Sequence, residues 1–113
     1  MIFRPELVAK IVAGEKTMTR RPVKPEKPCR YRPGITYAVQ PGRTDRAVAL
    51  IRIIDVRQEQ LGEITEADAI AEGFESSAAF FAYWCELYRV DEAPLDLPVW
   101  VISFDLALAT EGA

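Results

Sequence analysis

The sequence predicts an α+β domain built on a small mixed β-barrel flanked by helices. Three observations predict it. Strand-like segments outnumber helical ones and no βαβ rhythm links them, which argues against a doubly wound parallel sheet. The best strand candidate, Ala47 to about Gln58, is apolar on both faces from Ala47 to Ile54 except at Arg52, as a strand passing through a closed barrel would be. The chain has 113 residues, half of them hydrophobic, which is the size of a single domain (1–113) with a modest core.

Met1 to Arg4 reads as a short first strand. Pro5 suits the first helical position, and Glu6 the first turn, where an acid is favoured. Leu7, Val8, Ile11 and Val12 recur at helical spacing and Gly14 is a stop, so a helix covers about 5–13. The stretch KTMTRR (16–21) alternates and is threonine-rich, so it reads as a strand. Residues 22–33 hold Pro22, Pro25, Pro28 and Pro33 with basic residues between them, an extended loop that is long for so small a domain. Ile35 to Gln40 is a strand and Pro41-Gly42 a turn before the long apolar strand. Thr65 caps a helix at about 66–72, with Asp68 at capping-box spacing and Gly73 at its end. Ser76 or Ser77 starts another helix ending near Arg89, whose Phe80, Phe81, Trp84, Leu87 and Tyr88 form a wide apolar stripe suited to the core, with the wall of a ligand site as the alternative. An acidic loop at 90–98 precedes the closing strand, Val99 to Leu106, whose alternation is broken by Trp100.

The composition narrows the chemistry. There is no histidine, which removes the usual general base, the Ser/His/Asp triad and most zinc sites. The two cysteines, Cys29 and Cys85, make a poor metal site, so no metal and no cofactor are implied. The start, MIFRPELVAKIVAG, lacks the apolar core and cleavage site of a secretory signal. No apolar run approaches the roughly 20 residues of a membrane span. The expectation is a cytoplasmic protein with free thiols and no membrane partner, either a monomer or a homodimer.

The net charge of −3 hides an asymmetry. Residues 10–32 contain eight Lys/Arg against two acids, whereas residues 59–111 contain twelve Asp/Glu against one base, Arg89. The basic third is suited to an anionic partner such as a phosphate, nucleotide or RNA.

Chemistry-bearing residues concentrate in AGEKTMTRRP (13–22), which holds Lys16, Thr17, Thr19, Arg20 and Arg21 within six residues. A lysine holds an oxyanion or, with a lowered pKa, acts as a base. A threonine hydroxyl beside a base is a potential nucleophile. Residues three apart in a regular strand point to opposite faces, so Lys16 and Thr19 share a site only if the backbone bends between Gly14 and Thr17. Glu72 falls in the last turn of its predicted helix, where the macrodipole disfavours an anion unless a cation compensates, and Lys16 is a suitable partner. Arg20 and Arg21 are suited to gripping a carboxylate or phosphate. Tyr31, Tyr37 and Trp100 are suited to stacking on a base.

The stretch Gly14 to Arg21 resembles the GxKxxTxR signature of ASCH domains, members of the PUA-like superfamily. Asp68-Ala-Ile-Ala-Glu72-Gly73-Phe74 resembles the family's helix with an acidic residue before a glycine, and Trp100-Val-Ile-Ser-Phe104 its closing strand. The resemblance implies a small barrel of about five or six strands with two or three helices, and a cleft where these pieces meet. One bacterial branch of similar size is similar to N4-acetylcytidine amidohydrolases, which remove an acyl group from the exocyclic amine of cytidine with a Lys/Thr/Glu triad. That resemblance implies Lys16, Thr19 and Glu72 as catalytic residues. Thr19 would attack the carbonyl or position the water that does, Lys16 would activate that hydroxyl or hold the oxyanion, and Glu72 would shuttle the proton. Arg20, Arg21, Tyr37 and Trp100 are the expected substrate-binding residues. The basic loop at 22–33, with Cys29, departs from the amidohydrolase pattern. Other ASCH proteins resemble RNA-binding modules, so the alternative is a binding module for RNA or a modified nucleotide.

Overall fold

Pro5 opens α1 (Pro5–Val12), with Glu6 in the first turn and Lys10 in the last, each at the end its charge favours. Leu7, Val8 and Ile11 form its buried face. The structure, a computed structural model, describes residues 1–109. After α1 come β1 (Met18–Pro22), β2 (Thr36–Val39), β3 (Ala49–Gln60), a 3-10 turn (Leu61–Glu63), α2 (Glu66–Glu72), α3 (Ser77–Tyr88) and β4 (Pro98–Ala109). The strands form one antiparallel sheet in the order β1-β4-β3-β2.

Among the described residues that sheet has four strands, not five or six, and it is open rather than closed into a barrel. Met1 to Arg4 is not a strand. Ile2 makes a single parallel bridge to Gln40, where the Phe3 N–H donates to the Gln40 carbonyl at 3.0 Å and the Gln40 N–H to the Met1 carbonyl at 2.9 Å. The edge strands β1 and β2 have only five and four residues, and they do not pair with each other. The first residues stand between them instead, since Arg21 of β1 donates to the Ile2 carbonyl at 3.2 Å. The apolar run of β3 is also covered on one side only. Ala49, Ile51 and Ile53 are buried while Arg52 and Ile54 are exposed, the pattern of an open antiparallel sheet.

Strand β4 serves two cores. Val99 and Val101 pack with Leu61, Ile64, Ala69, Phe80 and Trp84. Ile102 and Phe104 pack with Phe3, Leu7, Ile11, Val39, Ile51 and Ile53, and Trp100 leans on the same group. Alternate residues of a strand point to opposite faces, so one face of β4 meets α2 and α3 and the other meets α1. Trp100 therefore continues the alternation and does not break it. In β1, Thr19 lies opposite Ile102 and Arg20 opposite Val101. Opposed residues of an antiparallel ladder share a face, so Thr19 is turned toward the α1 side and Arg20 toward α2 and α3.

Ser76 caps α3, its hydroxyl accepting from the Ala79 N–H at 3.1 Å. Phe80 and Trp84 of its apolar stripe are buried, whereas Leu87 and Tyr88 are exposed. Cys29 and Cys85 are free thiols. No helix among the described residues is long and apolar enough to cross a membrane.

Candidate active site

Lys16 reaches its position because the chain turns sharply after α1. Gly14 sits at φ +78°, in the left-handed region. The N–H groups of Glu15 and Lys16 then both donate to the Lys10 carbonyl, at 2.8 and 3.1 Å. Strand β1 begins only at Met18, two residues later than the sequence alternation predicts. Thr17 is pinned on both sides, its N–H donating to the Ala71 carbonyl at 2.8 Å and its carbonyl accepting from Phe104 at 2.9 Å. The bend that a shared site requires lies before Thr17, and Lys16 is released from the strand alternation.

Helix α2 brings Glu72 to the same point. Thr65 caps its start, its hydroxyl accepting from the Asp68 N–H at 3.1 Å. Gly73, at φ +103°, ends it with paired bonds from Phe74 N–H to the Ala69 carbonyl (3.0 Å) and from Gly73 N–H to the Ile70 carbonyl (2.9 Å). The remaining end carbonyls are satisfied from outside the helix. Ala71 accepts from Thr17, Glu72 from Lys16 Nζ at 2.7 Å, and Gly73 from Lys10 Nζ. Two lysines thus sit at a helix end that carries partial negative charge, which offsets the placement of a carboxylate there.

Both oxygens of the buried Glu72 carboxylate have cationic partners. Oε1 accepts from Lys16 Nζ at 3.2 Å and Oε2 from Arg20 Nη1 at 3.0 Å. Lys16 is 2% exposed and Glu72 3%, so water screens the pair little. Lys16 Nζ also donates to the Met18 carbonyl at 2.8 Å. Its three protons therefore have three acceptors: two carbonyls and the carboxylate. Burial pushes the Lys16 ammonium below its ordinary pKa, Glu72 opposes this only in part, and Arg21 and Arg20 push the same way as burial.

Arg20 is an internal clamp rather than a free anion ligand. Its guanidinium has no exposed surface. Nη2 donates to Glu59 at 2.6 Å and to Asp68 at 2.9 Å, Nη1 to Glu72, and Nε to Glu59 at 3.3 Å. Burial works against its charge, yet Glu59, Glu72 and Asp68 together hold it above the ordinary arginine range. Arg57 extends the network to Glu59 at 3.4 Å and Asp68 at 3.1 Å. Sequence reasoning misses Glu59 and Asp68 as partners. The available signal was Arg20 itself, since a guanidinium turned inward must meet carboxylates. Among the described residues no group of three or more His, Cys, Asp or Glu is placed to hold a metal ion. Glu59, Asp68 and Glu72 converge on Arg20 instead.

Lys16, Thr19, Arg20, Arg21 and Glu72 meet at one cavity of about 310 Å³, walled by Phe3, Phe74 and Tyr83 among others. Because β1 is an edge strand, a cavity can wrap around it and meet side chains from both of its faces. Thr19 is buried but stands outside the Lys16–Glu72 hydrogen bonds, whose partners are the groups already named. Arg21 lies against Phe3, its guanidinium carbon 4.9 Å from the ring centroid. Tyr83, which the sequence assigned no site role, and Tyr88 of the helix stripe also line the cavity, and partial desolvation raises the pKa of both phenols although the Tyr88 ring keeps exposed surface.

Two expected substrate-binding residues lie elsewhere. Trp100 lines a neighbouring cavity of about 480 Å³, which shares Arg21 and Tyr88 with the first. Tyr37 lines neither cavity. Its hydroxyl accepts from the Arg32 N–H at 3.0 Å and donates to the Arg30 carbonyl at 3.3 Å, and its ring meets Tyr31 edge-on at 5.0 Å. Tyr37 thus holds the basic loop in place.

No curated protein matches the sequence. Among solved structures it is similar to protein EF3133 from Enterococcus faecalis, at 23% identity and a TM-score of 0.68, over 96% of this chain and 74% of that one. It is similar to an ASCH domain from Lactobacillus crispatus at 18% identity and a TM-score of 0.71, over 91% of this chain and 71% of that one. A mutant of the ASCH protein from Zymomonas mobilis is similar at 12% identity and a TM-score of 0.58, over 93% of this chain and 66% of that one. At these identities the likeness is one of fold. The family model described as "ASCH domain" matches residues 1–105, which take in every element up to the greater part of β4 together with Lys16, Thr19 and Glu72. The chain therefore belongs to the ASCH domain family, within the PUA-like superfamily.

Proposed function

We propose that this cavity hydrolyses the N-acyl bond on the exocyclic amine of a cytidine-type nucleoside. The observation that carries the reading is a buried Lys16–Glu72 pair that opens, beside Thr19, on a cavity of about 310 Å³ with aromatic walls. That volume is at the small end of ligand sites and suits a nucleoside base.

Lys16 is the base. It acts from its neutral form: burial disfavours the charged form, so Lys16 sheds one of its three protons at lower pH than an exposed lysine, and the free amine then takes up a proton in the reaction and readily gives it back. Thr19 stands outside the Lys16–Glu72 hydrogen bonds, which favours a water molecule between them as the nucleophile. As the water oxygen bonds to the acyl carbon, one of its protons passes to Lys16. The Thr19 hydroxyl donates to the carbonyl oxygen as that oxygen gains charge. Collapse of the intermediate breaks the carbon–nitrogen bond, and the lysine proton goes to the leaving amine. One water is consumed, and the products are the nucleoside with a free amine and a carboxylic acid that ionises into solvent. Glu72, held by Arg20, keeps Lys16 aimed and balances its charge through both transfers.

Incubation with N4-acetylcytidine, with cytidine followed by chromatography, tests the reading. The expected result is release that falls at least about 100-fold in Lys16→Ala. No release at high enzyme concentration, or release that survives Lys16→Ala, refutes it. A binding role for RNA or a modified nucleotide is the second reading, favoured by the cations that line the neighbouring cavity. Saturable binding of cytidine derivatives without any release identifies it.

A further inference from the structure

The cavity beside the proposed active site has a composition that the nucleoside reading does not use. Arg21, Lys24, Lys27 and Arg30 line it, together with Tyr31 and Trp100, and among the described residues no carboxylate does. Four cations elsewhere in the fold are paired: Arg4 with Glu86, Lys16 with Glu72, and Arg20 and Arg57 with Glu59 and Asp68; Lys10, Arg32, Arg43, Arg46, Arg52 and Arg89 make no ion pair among the described residues, and they do not line this cavity. Among the described residues none of the four cavity cations has such a partner. Glu26, the one acid of loop 22–33, is absent from the lining. Unpaired charge of one sign on a concave wall raises the local concentration of anions.

The loop is also built to hold its shape. Pro22, Pro25, Pro28 and Pro33 restrict its backbone, which lowers the entropy lost on ordering. The Val23 N–H donates to the Pro98 carbonyl at 3.0 Å, and Tyr37 ties both Arg30 and Arg32. Cys29 and Tyr31 pack against the core. Arg21 and Tyr88 border both cavities, so an occupant of one adjoins an occupant of the other.

We infer that the second cavity binds a phosphate group of the same substrate whose base enters the first, so that the substrate is a nucleotide or an RNA end rather than a free nucleoside. This rests on the proposed function. The shared chemistry is a phosphate on the ribose, supplied either as a terminal monoester or as an internucleotide diester. The acidic half of the chain disfavours a long polyanion lying across the molecule, so the contact extends over few nucleotides.

Calorimetric binding of unreactive ligands tests the inference without requiring turnover. The ligands are cytidine, cytidine 5′-monophosphate, ribose 5-phosphate and a dinucleotide with cytidine at its 3′ end. The phosphorylated cytidines should bind on the order of tenfold more tightly than cytidine at low salt. That advantage should vanish in the triple variant Lys24→Ala, Lys27→Ala, Arg30→Ala, whose three positions are exposed, and should shrink as salt rises. Unaltered circular dichroism of the variant excludes a folding defect. The tighter of the monophosphate and the dinucleotide identifies the source of the phosphate. Equal affinities for cytidine and both phosphorylated forms, or an advantage that survives the triple variant, overturn the inference. Ribose 5-phosphate binding as tightly as cytidine 5′-monophosphate supports the phosphate subsite while refuting the nucleoside reading beneath it.

Discussion

Replacing Arg20 by methionine keeps an unbranched stem and removes the guanidinium with all of its donors. Three carboxylates lose a partner. Glu59 and Asp68 are 14% and 22% exposed and retain Arg57, so solvent and a second cation limit their share of the loss. Glu72 is the costly one, buried and left with Lys16 alone. Removing one member of a buried ion pair destabilises by about 3–5 kcal/mol, a large part of the about 5–15 kcal/mol that holds a typical domain together. Unfolding entropy near 2.1 cal/mol/K per residue, over 113 residues, is roughly 0.24 kcal/mol/K, so the melting temperature should fall by roughly 12–21 °C. Thermal melts followed by circular dichroism, with urea titrations at constant m-value, give the measurement. The double variant Arg20→Met, Glu72→Gln should lose less than the sum of its singles, because the stranded carboxylate is gone. A fall below about 4 °C for Arg20→Met, or strict additivity in the double variant, would show that Lys16 alone holds Glu72 and that the clamp described above is wrong.

The pH dependence follows from Lys16. Its folded pKa lies below the unfolded value of 10.5, so the folded chain releases this proton first as pH rises. Between the two values the unfolded chain binds more protons, and stability through this group increases with pH; below the folded value both states are charged and the full burial penalty applies. Urea titrations across the alkaline range should therefore show wild type gaining on Lys16→Met, and a constant difference would contradict the lowered pKa. The rate of acyl release should likewise rise with pH to a plateau with its midpoint below 10.5, a limb that Lys16→Arg lacks. Gly73→Ala places a side chain at φ +103° and its Cβ 3.3 Å from Lys10 Cδ and 3.6 Å from Lys16 Cβ. It should destabilise by about 1–2 kcal/mol in urea and lower activity further by displacing both lysines; a neutral effect on both would refute the role given to that helix end.

Much of the site was legible because its geometry is local. The turn at Gly14 and the end of α2 at Gly73 are written in single glycines, and Thr65 and Asp68 announce the helix that carries Glu72. Fold closure was less legible. An apolar run such as Ala47 to Ile54 gives the two faces of a strand the same chemistry, so it cannot report that Ile54 ends up exposed. Nor does sequence reveal that β1 and β2 are too short to meet across the gap that Met1 to Arg4 fills with a single bridge. The surroundings of Arg20 and Tyr37 were hard to read for a related reason. Both are good ligands in isolation, and only the tertiary arrangement shows their donors and acceptors already engaged inside the protein.

The two cores explain why charge is buried at this place and not another. Val101 and Ile102 are adjacent in β4 yet belong to opposite packing layers, and β1 repeats the split with Arg20 and Thr19 beside them. The layers meet at the free edge of β1, where Phe74 packs against both. Apolar residues there would seal the seam, and apolar substitutes for buried ion pairs are often as stable as the pairs they replace. This chain instead fills the seam with Lys16, Arg20 and Glu72, and leaves a cavity against them. Stability alone does not call for that choice. A charged, shaped cavity that departs from ordinary core composition is what a binding or catalytic site requires, and it lies where the open sheet leaves an edge strand uncovered.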